Sequence, residues 1–540
     1  MELSLTWGGT MGLADVRQDI IAGRSALGIE LGSTRIKAAL ITPAGEVLAT
    51  GVHDWENQFQ NRIWTYSLPA VWEGIQDCYK KLSAEVNQRY GTPLSTIGAI
   101  GVSAMMHGYL VFDSDHELLV PFRTWRNTMT EVAAAKLSEC FQYSIPQRWS
   151  VAHLYQAVLN DEPHVSQIAF MTTLAGYVHW MLSGEKVLGV GDASGMFPVD
   201  TATKGFSERL LAQFDSLIAD RGLGWQLADI LPKVLSAGEP AGVLSAAGAR
   251  LLDPSGVLQP GIALCPPEGD AGTGMVATNA VARRTGNVSA GTSIFAMVVL
   301  ERELSALHTE IDLVTTPVGD LVAMVHCNNG ASELDAWAGV FAQFATALGT
   351  DADNAKVFET LFRQALVGES DAGGLLAYNY LAGETITGLA EGRPLYLRTP
   401  DSHLSLANFM RAQILGMFAT LALGMRILHD EGVGLDSMFA HGGIFKTAGV
   451  AQRLLAAALN TPVTLSTTAS EGGSWGMAVL AAYLAPAAAG QSLTDYLNQV
   501  IFATAETTTV APVADDVAGF ATYLSRYETA LPVLKTAIKV

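Results

Sequence analysis

The sequence predicts an α/β fold of two related domains flanking a central cleft, and three observations support this prediction. The chain has 540 residues, more than one hydrophobic core normally supports. A meander of short apolar runs near the amino terminus recurs about half a chain later, and strand-like and helix-like segments alternate after it. We therefore assign residues 1–24 to an N-terminal extension, 25–285 to a first domain and 286–540 to a second.

The first meander begins at Ala26, where the runs ALGIEL, IKAALI and VLATGV are separated by the turn sequences GSTR and TPAGE. Short apolar runs bounded by Gly, Ser, Thr and Pro are typical of strands joined by tight turns. A further strand is predicted over residues 96–104, and it leads into Met105, Met106, His107 and Gly108. Ligands commonly bind at the carboxyl ends of strands in α/β sheets.

The second meander starts at Gly286 with GNVSAGTSIFAMVVL, and it aligns the segment Gly291–Ser293 with the turn Gly32–Thr34. An internal repeat of this length predicts two domains of similar topology, although chance similarity of two glycine-hydroxyl turns is the alternative. Further on, Ser437–His441 predicts a strand, which two glycines and a helix with an apolar face follow.

Composition limits the classes of partner. Hydrophobic residues make up 49% of the chain and charged residues 16%, which predicts a folded globular protein. The formal net charge is -20 and no basic run occurs, which argues against nucleic acid or an anionic membrane as the main partner. An anionic ligand remains compatible with this charge, because backbone amides and a metal ion can supply a local positive field.

Targeting features point to the cytoplasm. The four cysteines form no CxxC pair, which suits a reducing compartment; they are Cys78, Cys140, Cys265 and Cys327. The amino terminus lacks the basic and apolar regions of a signal peptide. The apolar stretch Ile414–Met425 is bounded by Arg411 and Arg426 and is shorter than the roughly 18 residues that a membrane span requires, so it predicts a buried helix.

Eight short motifs, in order between about residues 26 and 482, resemble the FGGY carbohydrate kinases. They are GIELGSTRIKAAL, SAMMHG, GDASGMFPVD, PPEGDAGTG, NVSAGTS, YLAGE, HGGIFKT and EGGSWGMAVLAA. The resemblance implies two ribonuclease H-like domains of the actin- and hexokinase-like ATPase type, with sugar bound mainly by the first and ATP by the second. It also implies ATP and Mg²⁺ as cofactors and a small sugar as partner, and it is compatible with a homodimer.

The resemblance places the catalytic base at Asp270, which lies among small residues that leave room for a substrate. Phosphoryl transfer requires a carboxylate that orients the attacking hydroxyl or accepts its proton. The structural alternative is that Asp270 caps a helix starting at Ala271.

Five residues are expected to bind the sugar in addition to Asp270. Met106, His107 and Gly108 match the family's Met-His-Gly, in which the imidazole can bond a hydroxyl. Trp125 and Asn127 lie where the family has Trp-x-Asp. Asn127 can both donate and accept, whereas a carboxylate only accepts, which leaves the recognised hydroxyl pattern open.

The ATP site is expected to use three glycine-rich segments, because glycine lets backbone amides approach phosphate closely. The predicted residues are Gly32, Ser33, Thr34, Arg35, Gly291, Thr292, Ser293, Gly442, Gly443 and Lys446. Taken alone, the first turn could also be an ordinary hairpin turn.

Glu30 occupies the position where the family usually has an Asp that helps to hold Mg²⁺, directly or through water. The longer side chain puts the metal geometry in doubt. We expect a sugar kinase that acts on a ketopentose such as xylulose or ribulose, with a hexulose, a polyol or glycerol as further candidates. A pseudokinase or an actin-like ATP-binding protein is the alternative.

Overall fold

A computed structural model describes residues 12–350, 353–466, 472–485 and 490–539. The strands are β1 (Ala26–Leu31), β2 (Arg35–Ile41), β3 (Val47–Asp54), β4 (Gln58–Gln60), β5 (Ile63–Thr65), β6 (Ala99–Ala104), β7 (Leu110–Phe112), β8 (Phe170–Thr172), β9 (Val187–Gly189), β10 (Val199–Asp200), β11 (Gly205–Phe206), β12 (Lys233–Leu235), β13 (Ala263–Leu264), β14 (Glu268–Gly269), β15 (Thr285–Ala290), β16 (Ile294–Val299), β17 (Ile311–Thr315), β18 (Leu321–Cys327), β19 (Leu376–Tyr378), β20 (Leu395–Leu397), β21 (Ser437–His441), β22 (Val463–Ser466) and β23 (Thr507–Val510).

The helices are α1 (Leu13–Ile21), α2 (Leu68–Tyr90), α3 (Glu131–Phe141), α4 (Ser150–Leu159), α5 (Leu174–Ser183), α6 (Val190–Ala193), α7 (Glu208–Leu217), α8 (Leu227–Ile230), α9 (Ala246–Leu252), α10 (Asp270–Ala277), α11 (Ser332–Ala347), α12 (Asn354–Gln364), α13 (Leu406–Asp430), α14 (Val450–Leu459), α15 (Gly472–Tyr483), α16 (Leu493–Tyr496) and α17 (Ala514–Ala537).

These elements form two compact units. The first unit contains the chain up to Ala277 together with Thr315–Gly319 and Glu471–Ala503, and the second contains the remainder. The division differs from a single boundary at residue 285, because the chain returns to the first unit through α15. This helix is apolar on all sides, and a helix of that kind must be buried all round.

The main sheet of the first unit has the order β13-β6-β1-β2-β3, with β14 also paired to β6. The meander β1-β2-β3 is antiparallel, as the sequence predicts, whereas β1, β13 and β14 all run parallel to β6. The end of β6 and the end of β14 therefore lie side by side, which brings Met106 and Asp270 together.

Helix α15 packs closely on this sheet through glycines. A Cβ atom placed on Gly28 of β1 would lie 2.1 Å from the Ser474 carbonyl oxygen, and one placed on Gly476 would lie 2.1 Å from the carbonyl of Thr273 in α10. The residues between Gly473 and Ala482 are buried. The motif EGGSWGMAVLAA therefore forms a tightly packed core helix from Gly472 onward, while Glu471 lies outside the described residues.

Part of the predicted N-terminal extension belongs to the first unit. Residues 1–11 lie outside the described part of the chain, but α1 contributes Val16 and Ile20 to the unit's hydrophobic core. The guanidinium of Arg17 also donates to the Gly91 carbonyl. Spaced apolar residues in a polar helix are a weak signal, which explains why the sequence alone left this segment without structure.

The sheet of the second unit has the order β17-β18-β16-β15-β21-β22-β23. Strand β16 is antiparallel to β15 and β18, while β21 runs parallel to β15 and β22. Strands β18, β16, β15, β21 and β22 thus repeat the order and directions of β3, β2, β1, β6 and β13. The predicted internal repeat is therefore a repeat of topology.

Helix α13 forms the core of the second unit. Within the described part of the chain it is the helix whose length and apolar character would suffice to cross a membrane, and 83% of its most apolar window is buried. It extends beyond the predicted stretch and includes Arg411, which is buried and donates to Asp516 at 2.6 Å.

Candidate active site

Asp270 is the first residue of α10 and directly follows β14. Its Oδ1 accepts a hydrogen bond from the backbone N–H of Met106 at 3.3 Å. The carboxylate is open to solvent, yet protein atoms crowd around it. This desolvation is the main cause that raises the pKa of Asp270 to about 6, and the charge of Glu30 adds to it. The raised pKa brings the carboxylate close to the range that suits a general base.

His107 has protein partners on both ring nitrogens. Nδ1 is 3.0 Å from the Gly195 carbonyl, to which it donates, and Nε2 accepts from Nε of Arg148 at 3.2 Å. Burial, together with the charge of Arg148, lowers the pKa of His107 to about 3. The imidazole is therefore neutral, and in this geometry it orients Arg148; the direct sugar contact expected from the sequence stays a prediction.

Arg148 connects His107 to Asp270, because its guanidinium donates to the His107 ring and interacts electrostatically with the Asp270 carboxylate. Burial lowers the pKa of Arg148 to about 10, and the charge of Asp270 opposes that shift. A guanidinium that acts on the carboxylate in this way can also donate to substrate hydroxyls. Arg148 lies outside all eight family-like motifs, so no signal in the sequence points to it.

Met106 and Gly108 shape the end of β6. The Met106 side chain packs on Gly269, where an added Cβ would lie 2.2 Å from Met106 Cγ. Gly108 has a φ of +90°, and a Cβ on it would lie 2.7 Å from the Phe122 ring. Glycine is therefore required at this turn.

The turn Gly32–Arg35 joins β1 to β2, and aromatic side chains fix it. Trp55 Nε1 donates to the Gly32 carbonyl at 2.7 Å, and the Tyr66 hydroxyl donates to the Ser33 carbonyl at 2.5 Å. Donors on the carbonyl oxygens remove acceptors that would repel a phosphate. Arg35 itself forms an exposed pair with Asp54 at 2.9 Å.

Trp125 and Asn127 have different surroundings. Trp125 is 39% exposed, and its indole N–H donates to Ser33 Oγ at 3.3 Å, so it lies beside the first turn. Asn127 is buried and accepts from the Trp64 N–H while its amide donates to the Trp64 and Thr124 carbonyls. These backbone bonds use both amide hydrogens of Asn127 and tie it to the β4–β5 hairpin; its sugar contact stays a prediction.

Glu30 lies on β1 and accepts from the Ser474 N–H at 3.1 Å. Burial raises the pKa of Glu30, while Lys37 and the Ser474 N–H oppose the shift. No group of three potential metal-ligating side chains occurs among the residues that the structure describes. Magnesium in nucleotide sites usually needs only one or two carboxylates besides phosphates and water, so Glu30 fits the role of holding it.

The second unit carries the turn Gly291–Ser293 between β15 and β16. Its carbonyls also have donors: the Gly330 N–H donates to Thr292 at 2.7 Å and the Ala331 N–H donates to Gly291 at 2.8 Å. A Cβ on Gly330 would lie 2.2 Å from the Gly291 carbonyl oxygen, so this packing needs glycine. In both aligned turns, backbone carbonyl oxygens accept hydrogen bonds from nearby donors.

The glycine pair after β21 lies next to this turn. Gly442 has a φ of +121°, and a Cβ on it would lie 2.1 Å from the Ala290 carbonyl oxygen. Gly443 then begins a 3-10 helix that ends at the exposed Lys446. The structure therefore brings together the two predicted nucleotide segments that belong to the second unit.

Family models match both parts of the chain. The N-terminal domain of the FGGY family of carbohydrate kinases matches residues 25–257, and the C-terminal domain of that family matches residues 286–485. The repeated α/β units place the chain in the actin- and hexokinase-like ATPase fold, which confirms the predicted fold class. Because the models cover more than half of the chain, it belongs to the FGGY family of carbohydrate kinases.

Individual relatives are distant. The chain is 23% identical to a xylulose kinase of Klebsiella pneumoniae over 35% of its own length and 40% of that protein. It is 24% identical to an L-fuculokinase of Salmonella typhi over 45% of its length and 50% of that protein. A crystal structure of a xylulose kinase from Rhodospirillum rubrum matches with a TM-score of 0.77 at 18% identity, covering 95% of this chain and 100% of that one. The matched segments thus span half or less of these two curated relatives.

Proposed function

We propose that the chain transfers the γ-phosphoryl group of ATP to a hydroxyl of a small sugar, with a ketopentose such as xylulose or ribulose as the first candidate substrate. The observation that carries this proposal is the Asp270 carboxylate, which has a raised pKa and lies beside Met106 at the adjacent ends of β14 and β6. A base that loses its proton near neutral pH suits the deprotonation of a sugar hydroxyl.

In this reaction Asp270 accepts the proton of the attacking hydroxyl, while Arg148, held by His107, donates to the sugar. The turns at Gly32 and Gly291 each have carbonyls that are bound elsewhere, so each turn by itself can offer donors to a phosphate. When bound, Mg²⁺ supplies neutralisation of the phosphate charge, and Glu30 is the residue that would hold it.

The cytoplasm is the proposed compartment. All four cysteines are free thiols and three of them are buried, which suits reducing surroundings. The proposed reaction also draws on ATP, which the chain would meet there.

The test is ADP release with Mg-ATP across a panel of pentuloses, hexuloses, L-fuculose, polyols and glycerol. We expect one pentulose to give the highest kcat/KM. Highest activity on another sugar would support the proposed kinase activity but identify a different substrate. Folded protein that binds ATP and is inactive with the whole panel would favour the pseudokinase, which the Glu30 replacement would then explain.

A further inference from the structure

Glu268 is a buried carboxylate two residues before Asp270. It is 1% exposed and lies on β14 opposite Ser103 of β6. Its Oε1 accepts from the Gly191 N–H at 3.2 Å, and its Oε2 accepts from the N–H groups of Asp192 at 3.0 Å and Gly269 at 3.4 Å. The side chain therefore ties the β14–α10 junction to α6.

Two glycines make room for this carboxylate: Gly191 within α6 and Gly189 directly before that helix. A Cβ atom on Gly189 or on Gly191 would lie 2.3 Å from a Glu268 oxygen. Contacts this short would force one of the two elements to move. The glycine-rich motif at residue 191 and the motif around Asp270 therefore pack directly against each other.

A second acid, Asp192, is buried beside the first. It is also 1% exposed, and it accepts from the Thr173 hydroxyl at 2.6 Å. Burial raises the pKa of both Glu268 and Asp192, and a neighbouring carboxylate adds to each shift, while the three backbone N–H groups that donate to Glu268 oppose the shift there. Burying two acids costs stability compared with well-packed apolar side chains, so stability alone does not account for the pair.

The junction that Glu268 holds also places Asp270. The Met106 side chain packs on Gly269, and the Met106 N–H binds the Asp270 carboxylate. A shift of β14 relative to α6 would therefore move the carboxylate against the end of β6. Misplacement of a reacting group by about 1 Å can cost roughly 10²-fold in rate.

We propose that Glu268 is a positioning residue for phosphoryl transfer, which fixes the Asp270 carboxylate through its bonds to the N–H groups of Gly191, Asp192 and Gly269. The inference rests on the proposed kinase function. Glu268 does not contact the reacting atoms, and its effect passes through the junction.

The test is Glu268→Gln in the full chain, assayed on the best sugar of the panel. The amide NH₂ faces a backbone N–H donor in place of an acceptor oxygen, so the junction shifts. We expect kcat to fall about tenfold or more, while the KM for ATP stays within about twofold. The matched control is Asp253→Asn, because Asp253 likewise accepts N–H groups from Ser255, Val257 and Leu258. The control should lower the melting temperature and leave kcat unchanged.

Wild-type kcat in a folded Glu268→Gln variant would overturn the inference, as would an equal loss of kcat in the Asp253 control. If the glutamine variant does not fold, Gly191→Ala replaces it, since its new Cβ presses on the same carboxylate; unchanged kcat there also overturns the inference. A wild-type chain that phosphorylates no sugar would overturn the proposed function and this inference together. An active wild type with an equally active variant would overturn the inference alone.

Discussion

The pKa values of His107 and Asp270 shift in opposite directions, and desolvation is the main cause of both shifts. Desolvation by surrounding protein atoms lowers the pKa of His107 to about 3 and raises that of Asp270 to about 6, because it disfavours the charged form of each group. His107 is therefore neutral across the physiological range, and Asp270 exchanges its proton just below neutrality. Of these two, Asp270 is the one suited to proton transfer.

The first prediction follows from that pKa. A base must be deprotonated to act, so kcat/KM should be full well above pH 6, fall as the pH drops and be about half of its maximum near pH 6. Asp270→Asn should lower kcat by roughly 10²–10⁴-fold, because the amide cannot accept the proton. The measurement is a pH–rate profile of both proteins with calorimetric binding of ATP. A nearly silent Asn variant would indicate that Asp270 serves only as a helix cap.

The second prediction concerns His107, which positions Arg148. His107→Ala removes the acceptor for the Arg148 guanidinium and should raise the sugar KM about tenfold, as expected for loss of a hydrogen bond to a charged group. The KM for ATP should not change. His107 has a φ of +68°, so His107→Asn is the control: asparagine tolerates this backbone but its shorter side chain also loses Arg148. If Asn restores the sugar KM, the effect of Ala comes from backbone strain.

The two aligned turns both have donors on their carbonyl oxygens, but the donors are of different kinds. In the first turn, Trp55 and Tyr66 donate to the carbonyl oxygens, and in the second turn backbone N–H groups of residues 330 and 331 do so. Phosphate binding needs donors without nearby free acceptors. Both hairpins therefore meet the same requirement with different chemistry.

The third prediction tests the second hairpin through Gly442. In Gly442→Ala the Cβ would meet the Ala290 carbonyl oxygen at 2.1 Å, directly before the turn, and the positive φ adds strain of about 1–3 kcal/mol. The KM for ATP should rise about tenfold, and the sugar KM should stay constant. Gly449→Ala is the control, since Gly449 also has a positive φ but nothing within 4 Å of its Cβ. Equal effects of both variants on the KM for ATP would exclude a specific role for the hairpin.

The sequence predicts individual strands well and long-range partners poorly. The runs Ala26–Leu31 and Ser437–His441 form strands with the predicted bounds, because short apolar runs ended by glycine leave few other local structures. The hydrogen bonds between Asn127 and Trp64 could not be predicted, since Trp64 lies in a separate hairpin. The bonds of Glu268 to α6 could not be predicted either, because α6 lies far earlier in the chain.

At the scale of the whole molecule, the chain order does not match the two compact units. Helix α15 follows the second unit in sequence but packs against β1 and α10 of the first. The sequence motif of this helix does not indicate which unit it packs in, because a helix that is apolar on all sides can complete any core. The first unit therefore includes a helix that begins almost 200 positions beyond α10.

The last prediction is that residues 12–277 do not fold alone. Helix α15 buries Trp475, Met477, Val479 and Leu480 in the first unit, and at about 1.5–3 kcal/mol for each side chain they contribute roughly 6–12 kcal/mol. This is comparable to the net stability of a whole domain, about 5–15 kcal/mol. The fragment should lack a cooperative thermal transition by circular dichroism and should bind a hydrophobic dye. Joining residues 472–503 to it through a flexible linker should restore the transition. The same fusion with Gly476→Leu should fail, because the new side chain would meet the Thr273 carbonyl. Cooperative melting of the fragment alone, within a few degrees of the fusion, would mean that α15 is dispensable to the first unit.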